Sequence, residues 1–198
     1  MRGLIDAPLN RGGLWLAQRG ASANAMTLVG LALGLGAASL IAAGLTGPLA
    51  LLMILLSRLA DGLDGAVARA RGKTDFGGYL DIACDFAFYA AIPAAFVIAD
   101  PVQNGAAGAV LLASFYVNGA TFLGFAILAA KKGMETKSQG EKSLYFTAGL
   151  LEGTETILFF VIIVLWPSAF ATAAWVFSGL CLVTAVSRVL LARRVFGG

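Results

Sequence analysis

The sequence predicts an all-α integral membrane protein with six transmembrane helices, an N-terminal juxtamembrane segment and both termini in the cytoplasm. Of its 198 residues, 59% are hydrophobic and only 13% are charged, with a mean hydropathy of +0.86. Soluble domains carry about 25% charged residues. The apolar residues form long runs, and a spanning helix needs about 20 such residues. This composition excludes a disordered chain, and two cysteines are too few for a secreted disulfide scaffold.

Residues 1–24 are expected to form the juxtamembrane segment, because they contain three arginines and are too polar to span a bilayer. Leu14, Trp15 and Leu16 among these arginines are typical of a stretch that lies on the membrane surface. A disordered leader is the alternative. No apolar core of a cleavable signal peptide precedes Met26, so none is expected.

Six apolar segments follow, and we expect them to form one six-helix bundle over residues 25–198, within a single membrane domain that covers residues 1–198. The expected spans are 25–45, 48–70, 77–99, 105–130, 143–166 and 168–192. Glycines four residues apart would let these helices approach closely. These pairs are Gly30 with Gly34 in the first span and Gly149 with Gly153 in the fifth.

Twelve of the 14 basic residues fall before the first span, at or after the end of the second, after the fourth and after the sixth. They are Arg2, Arg11, Arg19, Arg69, Arg71, Lys73, Lys131, Lys132, Lys137, Lys142, Arg193 and Arg194. By the positive-inside rule these connections and both termini are cytoplasmic. Since the basic residues are scattered in ones and twos rather than along a stripe, no nucleic-acid partner is expected.

Four aspartates stand where the second predicted span ends and the third begins: Asp61, Asp64, Asp81 and Asp85. Acids inside a spanning helix are costly and indicate function. The two pairs have i,i+3 and i,i+4 spacing, so each pair occupies one helix face. Because a short loop joins the two helices, the four carboxylates are predicted to converge. An ion network with Arg58, Arg69 and Arg71 is the alternative.

Converging carboxylates repel one another and need cations. The chain contains no histidine, and a set of carboxylate oxygens suits Mg²⁺, Mn²⁺ or Ca²⁺ rather than zinc. Gly65, Ala68 and Gly77 leave room beside these acids for a ligand. Arg69 and Arg71 lie just beyond them, where a metal-bound diphosphate would place negative charge.

This segment resembles the D-x-x-D-G-x-x-A-R…G-x-x-x-D-x-x-x-D signature of the CDP-alcohol phosphatidyltransferase family. Its eight fixed positions are filled by Asp61, Asp64, Gly65, Ala68, Arg69, Gly77, Asp81 and Asp85. The interval between Arg69 and Gly77 is one residue shorter than is common in the family, and the difference falls in the loop. Asn24 and Thr27 also resemble the N-x-x-T found at the start of the family's first span.

The resemblance implies an enzyme of phospholipid biosynthesis that displaces CMP from CDP-diacylglycerol, or a similar CDP-alcohol, with the hydroxyl of an acceptor alcohol. It implies that Asp61, Asp64, Asp81 and Asp85 hold two Mg²⁺ or Mn²⁺ ions, and that Asp85 is the general base. The nucleotide-binding residues it implies are Asp61, Asp64, Gly65, Ala68, Arg69 and Gly77. Direct and covalent displacement both stay open, and a homodimer in contact with membrane lipid is expected.

The acceptor site is predicted from polar residues of the later spans and their loops. The candidates are Lys131, Lys132, Lys142, Glu152, Glu155 and Arg188. The lysines suit topology anchoring equally well, and the two glutamates could instead neutralise Arg58 or Arg188. The identity of the acceptor stays open.

A cation or proton transporter with a carboxylate relay is the alternative function. A relay predicts acids spread across the depth of the membrane, whereas four of the six acids within the predicted spans cluster at one end. The enzyme is therefore favoured, in a bacterial inner membrane with its site facing the cytoplasm.

Overall fold

The computed structural model describes residues 2–133 and 153–197, with side chains from residue 7 onward, and within these ranges it is all-helical. The α-helices are α1 (Arg2–Gln18), α2 (Ala23–Ala42), α3 (Pro48–Arg71), α4 (Asp75–Ala99), α5 (Pro101–Lys131), α6 (Gly153–Leu165) and α7 (Phe170–Phe196). A 3₁₀ turn, Pro167–Ala169, precedes α7. Lys142, Gly149, Glu152 and the first part of the predicted fifth span lie outside the described residues. The all-α prediction is confirmed for the part that is described.

Five of the predicted spans coincide with one helix each, and their ends differ from the helix ends by at most four residues. The largest shift at a helix start is at α5, which begins at Pro101 instead of residue 105. Asp100 is the reason, because its carboxylate accepts a hydrogen bond of 2.9 Å from the Gln103 amide and caps the helix. An aspartate cap followed by proline is a favourable start for a helix.

Four stretches of helix in the described chain are long and apolar enough to cross a membrane. They are Ala23–Ala42, Asp75–Ala99, Pro101–Lys131 and Pro167–Phe196. Helix α3 has 24 residues but carries five charged side chains, and the described part of α6 has 13 residues. These four helices indicate that the chain is a membrane protein. That α3 and α6 also span the membrane stays a prediction.

The chain divides into two compact units, Met1–Ala99 and Asp100–Gly198. In the first unit, α2 packs against both α3 and α4, and α1 packs against α3. In the second unit, α5 packs mainly against α7. All four predicted metal-binding aspartates belong to the first unit.

Close contact between α2 and its neighbours depends on two glycines, as the spacing of Gly30 and Gly34 predicts. A Cβ atom on Gly30 would lie 3.2 Å from the Ser57 carbonyl oxygen, and one on Gly34 would collide with the buried ring of Phe88. The Ser57 hydroxyl donates a 2.7 Å hydrogen bond to the Gly30 carbonyl. Small residues thus bring the backbones of α2 and α3 together.

The N-terminal segment is a helix that packs on α3, so the alternative of a disordered leader is wrong for the described residues. A Cβ atom on Gly13 would collide with Ala66, which shows how closely the helices approach. Arg69 donates a 2.8 Å hydrogen bond to Asn10 on α1. Trp15 is 53% exposed, as a residue at a membrane surface would be, but the surface position itself stays a prediction.

Gly34→Ala should destabilise the first unit because its methyl group needs space that the Phe88 ring occupies. We expect a loss of about 1–3 kcal/mol, seen as a thermal midpoint lower by about 3–8 °C in detergent. Gly78→Ala is the matched control, since a Cβ atom there has nothing within 4 Å. Equal midpoints for the two variants would contradict this packing.

Candidate metal and nucleotide site

A tight connection between α3 and α4 brings the predicted site residues together. Gly72 ends α3 with a φ of +102°, a conformation that favours glycine, and its amide donates to the Ala68 carbonyl at 3.0 Å. Thr74 then accepts a 3.0 Å hydrogen bond from the Gly77 amide and caps the start of α4. The loop between Arg69 and Gly77 is one residue shorter than is common in the family that the sequence resembles. A glycine at the end of α3 and a threonine cap at the start of α4 form this short loop.

Three carboxylates meet across this helix pair. Asp61 of α3 and Asp81 and Asp85 of α4 each place one oxygen within 4.8 Å of the other two. We call these three residues the acid cluster. At that separation each pair of charges repels by about 3 kcal/mol for an effective dielectric constant near 20. The arrangement therefore favours a positive charge among the three oxygens.

The fourth aspartate, Asp64, is not in the acid cluster. Its side chain is buried, and its Oδ2 accepts a 2.6 Å hydrogen bond from the Thr27 hydroxyl on α2. Three of the four predicted metal ligands are therefore gathered, while the fourth is tied to a neighbouring helix.

Residues of α2 contribute to the site more than the sequence indicated. Besides Thr27, Asn24 lies against the start of α4, where a Cβ atom on Gly77 would be 3.2 Å from the Asn24 side-chain oxygen. Gly77 thus leaves room for the Asn24 side chain at the start of α4. The N-x-x-T spacing was the only sequence signal for this contribution.

Arg58 lies beside the acid cluster, one turn before Asp61 on α3. Its Nη1 donates a 2.8 Å hydrogen bond to Asp85 Oδ1 and lies 3.5 Å from Asp61 Oδ1. Its guanidinium carbon is 4.0 Å from the centroid of the Phe88 ring, a cation–π contact. The sequence placed Arg58 beside the aspartates only in the alternative ion network, although its i,i+3 spacing from Asp61 was a signal.

Of the three arginines in the alternative ion network, only Arg58 pairs with an aspartate among the described residues. Arg69 donates to Asn10, and Arg71 donates a 2.7 Å hydrogen bond to the Ala21 carbonyl. Both side chains are exposed and are bound to the N-terminal part of the chain.

The six predicted nucleotide-binding residues all lie next to the α3–α4 connection. Asp61, Asp64, Gly65, Ala68 and Arg69 occupy the last three turns of α3, and Gly77 is in the first turn of α4. A Cβ atom on Gly65 would have only the Arg69 guanidinium within 4 Å, at 3.4 Å. The surface of α3 at Gly65 is therefore open.

The described candidates for the acceptor site belong to the second unit. Lys131 and Lys132 are exposed at the end of α5, and Glu155 is in the first turn of α6. Arg188 of α7 donates to both the carbonyl and the side-chain oxygen of Asn118, at 3.0 and 2.9 Å. Lys142 and Glu152 lie outside the described residues, and the acceptor role of all six residues stays a prediction.

Comparison with known proteins agrees with this geometry. Inner membrane protein YnjF of Escherichia coli K12 is 49% identical over 170 residues, which are 86% of this chain and 82% of that protein. Among solved structures, Mycobacterium tuberculosis phosphatidylinositol phosphate synthase (PgsA1) with CDP-DAG bound is 23% identical. It has a TM-score of 0.65 over 96% of this chain and 94% of that chain.

The same synthase in complex with manganese and citrate has a TM-score of 0.62 at 23% identity, over 93% of this chain and 87% of that chain. At this identity the likeness establishes the fold alone. The model of the CDP-alcohol phosphatidyltransferase family matches residues 21–193, a range that contains the acid cluster and the α2 residues that support it. The chain therefore belongs to the CDP-alcohol phosphatidyltransferase family.

Proposed function

We propose that the chain transfers a phosphatidyl group from CDP-diacylglycerol, or a similar CDP-alcohol, to the hydroxyl of an acceptor alcohol and releases CMP. Membership of the family supports phosphatidyl transfer in phospholipid biosynthesis. The observation that carries the proposal is the convergence of Asp61, Asp81 and Asp85 at the positions of the family signature. The synthase of similar fold was solved with CDP-DAG bound, which supports the choice of donor.

Two Mg²⁺ or Mn²⁺ ions are proposed as cofactors, held by the acid cluster together with Asp64. The residues present fit such ions, because three carboxylate oxygens lie within 4.8 Å of one another and all donors are hard oxygens. Thr27 occupies only Oδ2 of Asp64. When bound, the ions supply positive charge that neutralises the diphosphate and stabilises the departing CMP.

The remaining residues of the signature are proposed to bind the cytidine nucleotide. Gly65 leaves an open helix surface beside Asp61, and Gly77 leaves room for the Asn24 side chain. Ala68 adds only a methyl group one turn after Gly65. Arg69 is exposed and extends from the same surface, so its guanidinium can pair with a diphosphate oxygen.

Asp85 is proposed as the general base. Its carboxylate accepts the proton of the acceptor hydroxyl as the new phosphorus–oxygen bond forms and the bond between the phosphatidyl phosphorus and CMP breaks. In a chain without histidine, a carboxylate at the site is the available base. Before metal binds, Arg58 holds this carboxylate through a 2.8 Å hydrogen bond.

The membrane setting is part of the proposal. Six spans, cytoplasmic termini and a site that faces the cytoplasm follow from the positions of Lys and Arg. An inner membrane is supported by the Escherichia coli relative, which is an inner membrane protein. A homodimer is proposed from the family alone. The alternative of a transporter with a carboxylate relay is disfavoured, because the acids of α3 and α4 gather at one helix junction.

Release of CMP from CDP-diacylglycerol in detergent micelles tests the reaction and its metal requirement. The assay uses a panel of acceptors that includes glycerol phosphate, inositol phosphate and serine. With the right acceptor, excess EDTA should lower the rate at least 100-fold, and added Mg²⁺ or Mn²⁺ should restore it. Activity that survives chelation would refute the metal-dependent mechanism.

Asp85→Asn should lower kcat by about 100-fold or more, because an amide cannot accept the proton of the acceptor hydroxyl. The matched control is Asp75→Asn, an exposed aspartate in the first turn of the same helix and outside the acid cluster. The control should stay within about twofold of the wild type. Similar rates for both variants would remove Asp85 as the base.

Arg188→Gln tests whether Arg188 binds the acceptor, and the measurement is the KM for each of the two substrates. We expect the KM for the acceptor to rise about tenfold, since a charged hydrogen bond is lost, while the KM for CDP-diacylglycerol changes little. Arg188→Lys should recover part of the affinity, and Arg193→Gln at the end of α7 is the control. An unchanged KM for the acceptor in Arg188→Gln would exclude the residue from the acceptor site.

A further inference from the structure

Arg58 stands where a divalent ion would otherwise compensate the acid cluster. Both ion pairs that the described residues form with the cluster come from its Nη1 atom, with Asp85 at 2.8 Å and Asp61 at 3.5 Å. The Arg58 side chain is only 15% exposed, so its charge is weakly screened by water. The resting site therefore already contains one cation.

Arg58 is held in this position by charge more than by a complete set of hydrogen bonds. Its Nη2 donates to the Ser57 hydroxyl at a long 3.2 Å. Its buried Nε has no hydrogen-bond partner among the described residues, and an unsatisfied buried donor is unfavourable. The side chain is thus anchored mainly by Asp85 and Asp61.

Asp85 Oδ1 cannot bind both Arg58 and a metal ion without an unfavourable repulsion between the two cations. Mg²⁺ binds carboxylate oxygens at about 2.1 Å, so an ion on Asp85 Oδ1 would lie within about 5 Å of the Arg58 Nη1 atom that already bonds to this oxygen at 2.8 Å. A divalent ion and a guanidinium at that distance repel strongly in a half-buried site.

We propose that Arg58 is a built-in counter-cation that competes with divalent ions for Asp85 and Asp61 and thereby sets the metal affinity of the site. The proposal rests on the metal site of the proposed function. It makes Arg58 a positioning residue, which keeps the acid cluster assembled before metal arrives and leaves Asp85 Oδ1 when metal binds.

Titration of Mn²⁺ into the purified full-length protein, followed by calorimetry, tests the competition without any substrate. Arg58→Gln should bind Mn²⁺ at least tenfold more tightly than the wild type, equivalent to about 1.4 kcal/mol. Arg58→Lys keeps the charge and should stay within about threefold of the wild type. Arg71→Gln is the matched control, because Arg71 lies on the same helix and donates to Ala21 instead.

Thermal unfolding gives a second readout that does not depend on activity. In EDTA, Arg58→Gln should unfold at a lower temperature than the wild type, because the acid cluster has lost its counter-charge. Saturating Mn²⁺ should then raise the midpoint of the variant by more than it raises that of the wild type. An equal or smaller rise would overturn the proposal.

The outcomes separate the two hypotheses. A wild-type protein that binds no Mn²⁺ would remove the metal site of the proposed function. Normal Mn²⁺ binding by the wild type, with equal or weaker binding by Arg58→Gln, would overturn the role of Arg58 alone. If Arg58→Gln does not fold, crystal structures of the wild-type protein with and without Mn²⁺ test the role of Arg58 instead. The Arg58 Nη1 to Asp85 Oδ1 distance of 2.8 Å should lengthen beyond hydrogen-bond range, and an unchanged distance beside bound metal would refute the competition.

Discussion

Repulsion among the carboxylates of the acid cluster is the constraint on which the first unit depends. Helices α3 and α4 can hold these charges together only because other contacts fix the pair. Two glycines let α2 pack closely against both helices, and Gly72 and Thr74 close the connection between them. Arg58 supplies one positive charge, and the remaining negative charge favours binding of metal ions and, through them, of a diphosphate.

Most of the fold was predictable because helix position follows from apolar run length and from local stop signals. Five spans were located to within four residues. The helical state of α1 was not predicted, because its 17 residues have a weak apolar pattern, three glycines and an internal proline. Two of the glycines have a packing role that sequence alone does not reveal, since Gly12 and Gly13 face Leu63 and Ala66 of α3.

Residue spacing predicts which site residues lie on the same face of one helix. Steps of three and four residues indicated that Asp61 and Asp64 share a face of one helix and that Asp81 and Asp85 share a face of the next. The structure brings three of these four together, Asp61, Asp81 and Asp85. Spacing does not specify partners from other helices. The bond between Thr27 and Asp64 and the turn of Arg69 toward Asn10 therefore had to come from the tertiary structure.

The most direct test of the account is a crystal structure of the protein with Mn²⁺ and a cytidine nucleotide, with the ions located by anomalous scattering. The account predicts two manganese peaks beside the carboxylates of Asp61, Asp64, Asp81 and Asp85, and a cytidine nucleotide whose phosphate lies beside Gly65. Manganese bound elsewhere, or a nucleotide that does not contact the α3–α4 junction, would contradict it.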